Sequence, residues 1–313
     1  MTRVVSADAR TTTAALTLLY GRWPPAERKL FVREALDSVA KGRLDLRHLV
    51  VALDGRHEVV GAALAVERPG REAVVWTPGF QNNVATLELG LAMLTELNRR
   101  LDVAGMACAV CFVDRGQSVD RQCLEAAGFP GVADLCLLRG DPQSLLHRPT
   151  PRLPALRSIA WSTSAESLFA ETIAEIQRDG FDCPEVGPYR SGQDVLDSHG
   201  AGSLPEPNLW RLYYWGEAPD PAGVLLLGDH QGTEELEVLY LGVVPKARRQ
   251  GLARAMLGDA RQIAKSRRRG SLTVAVESRN APALALYAGE RFVETRRYAI
   301  HLRVNPHATP TAS

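Results

Sequence analysis

The sequence predicts an α/β fold, an α+β mixed sheet laid down twice in tandem, each copy mostly antiparallel with flanking helices. Three observations carry this. Apolar runs with strand spacing alternate with runs of helical spacing along the whole chain. Each half holds a hairpin followed by a strand–helix–strand unit, and that unit implies a parallel pair with a right-handed crossover. The order of elements in the first half returns in the second, which reads as an internal repeat. The 313 residues suit two domains of about 100–200 residues each, enough for separate cores. The predicted division is 1–140, a linker over 141–156, and 157–313. The linker carries Pro142, Pro149, Pro151 and Pro154, and proline removes a donor and disfavours helix just before it.

The second half is the clearer one. Residues Thr163–Arg178 place Phe169, Ile173 and Ile176 on one helical face, and a second helix follows near Gly192–Ser198. LWRLYYW (209–215) and GVLLLGD (223–229) form a hairpin through EAPDPA. ELEVLYLGVV (235–244) is a longer strand stopped by Pro245. A helix over about 249–266 follows, with Leu252, Met256, Ala260 and Ile263 in phase and Gly270 beyond its end. SLTVAV (271–276) is a buried strand, 281–288 a short helix and 292–303 a last strand. In the first half, RHLVVAL (47–53) and EVVGAALAVE (58–67) form the hairpin. EAVVWT (72–77) is expected to stop at Pro78. A helix from Val84 to Arg99, the strand GMACAVCF (105–112), a helix over 118–127 and a strand over 132–139 complete the copy. Pro78 aligns with Pro245 and Phe129 with Phe292.

Composition excludes several classes. Apolar residues make up 45% and charged residues 23%, which is globular. A net charge of +1 argues against a general nucleic-acid binder or a polybasic membrane protein. No apolar run reaches a membrane span and no secretory segment opens the chain, so a cytoplasmic, reduced protein is expected. Cys108-x-x-Cys111 looks like a redox or metal pair, but residues three apart on a strand face opposite ways, so buried thiols are expected. The seven His show no ligand spacing, and no metal is expected.

The stretch LYLGVVPKARRQGLARAML carries the chemistry. A strand ends, a loop holds Arg248-Arg249-Gln250-Gly251-Leu252-Ala253, and a helix begins. A helix N-terminus presents unpaired N–H groups and partial positive charge, which suits a phosphate. Gly251 allows close backbone approach, Ala253 keeps the next turn clear, and Lys246, Arg248 and Arg249 add charge. Asn280-Ala281-Pro282-Ala283-Leu284-Ala285-Leu286-Tyr287 and then Phe292 follow one strand later. Together these residues resemble the signature of the Gcn5-related N-acetyltransferase (GNAT) superfamily: Val-x-Pro, [Arg/Gln]-x-x-Gly-x-[Gly/Ala], Asn-x-x-Ala-x-x-Leu-Tyr and Gly-Phe. The match is collinear over roughly 235–298. Arg291 stands where the family usually has Gly.

The resemblance implies a parallel strand pair that splays to admit acetyl-CoA, with Leu241 and Val243 offering backbone groups to its pantetheine arm. It implies that the amides of Arg248, Arg249, Gln250, Gly251, Leu252 and Ala253 cradle the diphosphate and that Asn280 lies beside the arm. It places Tyr287 as the acid that protonates the leaving sulfur and the Val243 N–H at the thioester oxygen. Glu237 stands where one branch of the family keeps its catalytic base. Glu235, Glu277 and water remain alternatives, and Tyr287 could equally be a packing residue. Arg267-Arg268-Arg269 at a helix end reads first as a complement to the helix dipole and second as a phosphate contact. The Gly180–Pro184 loop falls where the family lines its acceptor side, with Asp182 and Glu185 as candidate ammonium ligands.

In the first half, Val84 falls opposite Gly251, Thr86 opposite Ala253, and no Tyr answers Tyr287. The chain therefore resembles a tandem acetyltransferase with a degenerate first copy, an arrangement similar to mycothiol synthases. The implied activity is acetyl-CoA-dependent N-acetylation of a small-molecule or peptide amine in the second copy, with the first copy structural or substrate-shaping. A non-catalytic acetyl-CoA sensor or scaffold is the alternative. Aminoacyl transfer from tRNA is a third reading, opposed by the near-neutral charge.

Overall fold

The computed structural model describes residues 2–81, 87–114, 118–143, 156–181, 183–200, 207–229 and 233–310. The chain opens with strand β1 (Arg3–Ser6), helices α1 (Thr12–Leu19) and α2 (Pro25–Ala40), and strands β2 (His48–Leu53), β3 (Val59–Arg68) and β4 (Glu72–Phe80). Helix α3 (Leu87–Val103), strand β5 (Cys108–Asp114), helix α4 (Ser118–Ala126) and strand β6 (Gly131–Gly140) complete the first series. The second series opens with β7 (Leu156–Ala160), α5 (Glu166–Gln177), α6 (Gly192–Gly200), β8 (Arg211–Trp215) and β9 (Gly223–Asp229). It continues with β10 (Glu235–Val243), α7 (Leu252–Ser266), β11 (Ser271–Glu277), α8 (Ala281–Gly289) and β12 (Val293–Val304). The short strands β1 and β7 carry no sequence signal and sit at sheet edges, where alternation is weak.

Two compact units form, and they depart from chain order. Unit 1 takes residues up to Ala133 together with Tyr298–Thr309, and unit 2 takes Asp134–Arg297. In unit 2, Leu135–Gly140 of β6 pair antiparallel with β11. In unit 1, Tyr298–Val304 of β12 pair antiparallel with β5. Each series thus gives its last strand to the other unit, where a division at 1–140 and 157–313 would keep both at home. The strand order is β1-β2-β3-β4-β5-β12 in unit 1 and β6-β11-β10-β9-β8-β7 in unit 2. Side-chain bonds secure the incoming strand of unit 1. Arg303 donates two bonds of 2.8 Å to Asp102, and the buried His301 ring lies 3.0 Å from the Phe129 carbonyl.

Amphipathic helices build both cores. On α3, Leu89, Met93, Leu94, Leu97 and Leu101 are buried against Val50, Ala52, Ala63 and Val75. On α7, Leu252, Met256, Leu257, Ala260 and Ala264 form the corresponding stripe. Phe169, Ile173 and Ile176 of α5 are also buried in the unit 2 core. Each fully buried Leu or Ile contributes about 1.5–3 kcal/mol.

The parallel pairs position the site. β10 pairs with β11 from Glu235/Ser271 only to Val238/Val274, although both strands continue. β4 pairs with β5 from Glu72/Cys108 to Val74/Val110. The two registers superpose Glu72 on Glu235 and Cys108 on Ser271, so Pro78 corresponds to Leu241 and not to Pro245. Pro78 does not end the strand; β4 runs through it to Phe80. It lies at an irregularity between the pairs Leu64/Trp76 and Ala62/Gly79, where a missing N–H is tolerated. Val84 and Thr86 lie outside the described residues, as do Pro149, Pro151, Pro154 and Asp182.

Cys108, Cys111, Cys123 and Cys136 are buried thiols and Cys183 is half-buried, none of them in a disulfide among the described residues. Among the described residues there is no His/Cys/Asp/Glu group able to hold a metal, and no helix is long and apolar enough to cross a membrane.

Candidate active site

The splay of β10 from β11 opens a wedge. A bulge between Val238 and Tyr240 shifts the register of β10 against β9. Beyond it, Tyr240 faces Leu226 and Gly242 faces Val224, and the Val244 N–H donates to the Ala222 carbonyl at 3.0 Å. Bonded pairs alternate in an antiparallel ladder. Tyr240 and Gly242 therefore bond to β9, whereas Leu241 and Val243 turn their N–H and C=O groups toward the gap. Val238 to Leu241 line the resulting cleft on one side and Val274 to Val276 on the other, with Asn280, Ala283 and Tyr287 from α8.

The loop after β10 has a built shape. Pro245–Ala247 form a 3-10 turn, and the Arg248 N–H donates to the Pro245 carbonyl at 3.2 Å. Arg249 is left-handed at φ 64°, and Gly251 is left-handed at φ 91° as the N-cap of α7, a conformation that favours glycine. The Ala255 N–H reaches the Gly251 carbonyl at 3.1 Å. The amides of Leu252, Ala253 and Arg254 thus form the first turn, which has no intrahelical acceptor. Side chains in this loop are less cationic than the sequence suggests. The Arg248 guanidinium donates to the carbonyls of Val243 (3.0 Å), Ile176 (2.9 Å) and Asp179 (3.1 Å). Lys246 lies 3.9 Å from Glu175 and 3.7 Å from Asp220. Gln250 donates to the Lys246 carbonyl at 3.1 Å. Exposed Arg249 makes no ion pair among the described residues.

Asn280 is the N-cap of α8, its Oδ1 accepting from the Ala283 N–H at 3.1 Å. Tyr287 is buried, on the cleft, with its ring 5.2 Å from that of Phe292. Left-handed Arg291 (φ 61°) precedes Phe292 and explains the turn where the family usually has Gly. Glu237 stands one residue before the splay, opposite Thr273 and Gly228. The bulge puts it on the same sheet face as Tyr240 and Gly242, the face covered by α5: a Cβ on Gly242 would lie 2.8 Å from Ile176. Glu235 pairs with Arg139 at 3.6 Å. Glu277 is buried and engaged by Arg279 and by the Cys183 N–H. Arg267 and Arg269 hold the buried Asp229 carboxylate at 2.8 and 2.7 Å, so these two of the three arginines are bound up within the fold, and Arg268 is exposed. Leu241, Asn280 and Tyr287 therefore line one cleft, the backbone of Val243 continues its β10 edge, Glu237 stands just before the splay, and 248–253 follow the end of β10. The arrangement offers directed backbone donors, a phenol and a carboxylate around a slot suited to a thin chain.

A family model of the acetyltransferase (GNAT) family matches residues 173–291. That segment belongs to the GNAT family. The whole chain shares its fold with a GCN5-related N-acetyltransferase from Sphaerobacter thermophilus, at TM-score 0.67 and 17% identity, covering 99% of this chain and 98% of that one. A tandem GNAT protein from the clavulanic acid biosynthesis pathway is similar at TM-score 0.56 and 14% identity over all of both chains. A probable N-acyltransferase from Enterococcus faecalis V583 has TM-score 0.54 and 12% identity, covering 97% of this chain and 73% of that one. No curated protein matches. The GNAT fold supports acyl transfer.

Unit 1 repeats the GNAT strand order with other contents. Its register puts Cys111 at the position of Val274, and Asp120 precedes Phe129 as Ala283 precedes Phe292. Asp120 is buried and ion-paired with Arg22. Burial raises the Asp120 carboxyl against the pull of Arg22, and burial with Asp120 nearby pushes the Cys111 thiol up to about 12. Positions that are small or apolar in the unit 2 wedge thus carry a salt bridge and a thiol here. No sequence motif marks this pair, because Arg22 and Asp120 lie on distant elements.

Proposed function

We propose that unit 2 is an acetyl-CoA-dependent N-acetyltransferase acting by direct attack of a primary amine, with unit 1 structural or substrate-shaping. The reading rests on one coincidence: the backbone edge of Leu241 and Val243 faces the gap, and one loop further the first-turn amides of α7 are free. An edge of this kind suits an amide-bearing pantetheine arm, and a positive helix end suits a diphosphate. Gly251 is left-handed, so the backbone of 249–253 can wrap an anion closely. The residues therefore fit acetyl-CoA, whose thioester would supply the activated acetyl group.

The chain's own groups divide the work. Leu241 and Val243 hold the arm, and the Val243 N–H stabilises negative charge on a carbonyl oxygen. Glu237, directly or through water, takes the proton of the attacking amine as the N–C bond forms. Tyr287 gives its phenolic proton to the sulfur as the C–S bond breaks. Asn280 keeps α8, and with it Tyr287, against the cleft. The acceptor is a small-molecule or peptide amine.

Calorimetry with CoA and thiol release from acetyl-CoA across an amine panel test this. Binding in unit 2, weakened by Gly251→Val, is expected. Tyr287→Phe is expected to lower kcat by about 10²-fold or more. CoA binding with no turnover on any amine, and no effect of Tyr287→Phe, would favour a sensor or scaffold.

A further inference from the structure

Two guanidinium groups tie the connector between α5 and α6 to opposite walls of the wedge. At its start, Arg248 bridges the Val243 carbonyl, at the end of β10, to the Ile176 carbonyl in the last turn of α5 and the Asp179 carbonyl just beyond that helix. The Ile176 carbonyl carries the negative end of the helix, which favours a cation. Ile176 also sits directly on Gly242, with no room for a Cβ. Further along, Arg279 grips Glu185 with both Nη atoms at 2.6 and 2.9 Å, and its Nε holds Glu277, the last residue of β11. The buried Glu277 carboxylate accepts the Cys183 N–H with its other oxygen. Val243 and Glu277 are the ends of the two strands that splay, so the connector is anchored on both sides of the open end.

We propose that Arg248 and Arg279 are positioning residues that clasp the α5–α6 connector across the open end of the wedge, coupling its seating to occupation of the cleft. The proposal rests on the acetyl-CoA reading of unit 2. An occupant of the cleft would press on both anchored walls, and the connector would be steadied through them. Neither guanidinium needs to touch the cofactor. Arg248 acts through its three carbonyls and Arg279 through the two carboxylates. A lysine at either place would keep the charge and lose the fork.

Phe181, 51% exposed between the two clasps, is a natural chymotrypsin site and reports opening of the connector. In the full chain without ligand, Arg279→Gln and Glu185→Gln should speed cleavage after Phe181 by about ten-fold or more, the scale of a lost charge-assisted bond. Arg279→Lys should recover part of the protection. The thermal midpoint should move little in Glu185→Gln, whose bonds to Arg279 are exposed; Arg279→Gln also leaves the buried Glu277 without its guanidinium and should lower the midpoint. CoA should slow cleavage several-fold in the wild type and fail to do so in Arg248→Gln and Arg279→Gln. Wild-type cleavage rates in Glu185→Gln and Arg279→Gln overturn the clasp. So does CoA that binds the wild type with a clear heat yet leaves its cleavage unchanged, and in that case the acetyl-CoA reading stands. No CoA heat in the wild type overturns both.

Discussion

Gly140 lies in β6, the strand that the first series gives to unit 2, and it faces the Phe292 ring. A Cβ built there would stand 2.7–2.8 Å from three ring carbons, whereas ordinary contact begins at 3.4 Å. In Gly140→Ala the ring must therefore shift by more than half an ångström. It has little freedom, because Tyr287 packs beside it at 5.2 Å and the Arg261 guanidinium lies 5.9 Å from its centroid. Overpacking of this kind costs about 1–3 kcal/mol, offset by about 0.4–1 kcal/mol from the stiffer unfolded chain. A net loss of about 1–2 kcal/mol lowers Tm by roughly 2–8 °C for a unit of this size. Calorimetric unfolding measures it. Phe292→Leu in the Gly140→Ala background should return part of the loss, giving a coupling of more than about 0.5 kcal/mol. An unchanged or raised Tm for Gly140→Ala would refute the packing argument. Because Tyr287 rests on the same ring, kcat should fall along with stability.

Arg261→Met should cost about 3 kcal/mol in urea unfolding, because Glu290 is buried and paired with both Arg261 and Arg254; a loss under about 1 kcal/mol would show the pair to be unimportant. Burial pushes the Asp229 carboxyl up, but Arg269 and Arg267 outweigh it and hold it below its ordinary 3.8. A depressed folded-state pKa stabilises above the ordinary value and is lost as pH falls below it. Asp229→Asn should thus be destabilised at pH 7 and approach the wild type progressively below pH 4, as read from urea midpoints. Native thiol labelling at pH 8 should find one fast cysteine, Cys183, since the other four are buried and the Cys111 thiol is pushed up to about 12. Ending the chain at Arg297 removes the strand beside β5 and should unfold unit 1, seen as exchange of the β5 amides.

Most of the architecture is legible in the sequence because hydrophobic period reports local burial. The stripe Leu252, Met256, Ala260 predicts α7, and LVVAL with its DGRH turn predicts the β2–β3 hairpin. The loop after β10 is legible too, since a strand end, Gly251 and a helix start are consecutive; the splay beside it is implied only by the family resemblance. Partner choice is not local, and the exchange of β6 and β12 left no mark in their own residues. Pro78 misled for the same reason: its tolerance depends on an irregularity set by β3. The Arg248 side chain was likewise unreadable, because its acceptors are carbonyls of Ile176 and Asp179, which have no side-chain signature. Arg279 next to Asn280 carries no pattern either; Glu277 is two residues away, but Glu185 comes from another loop.

The exchanged strands also set a timetable for biosynthesis. During translation, β5 emerges early, while the segment that will cover it is made only after Asp134–Arg297 of unit 2. Until then, unit 1 presents an unpaired strand edge, the feature most prone to pairing with another chain. Unit 2 has no such wait, because β6 emerges before β11 and is ready when β11 appears. The copy proposed to carry the chemistry can therefore mature first on the ribosome. Its companion stays dependent on a segment, Tyr298–Thr309, that is made after β11 and α8.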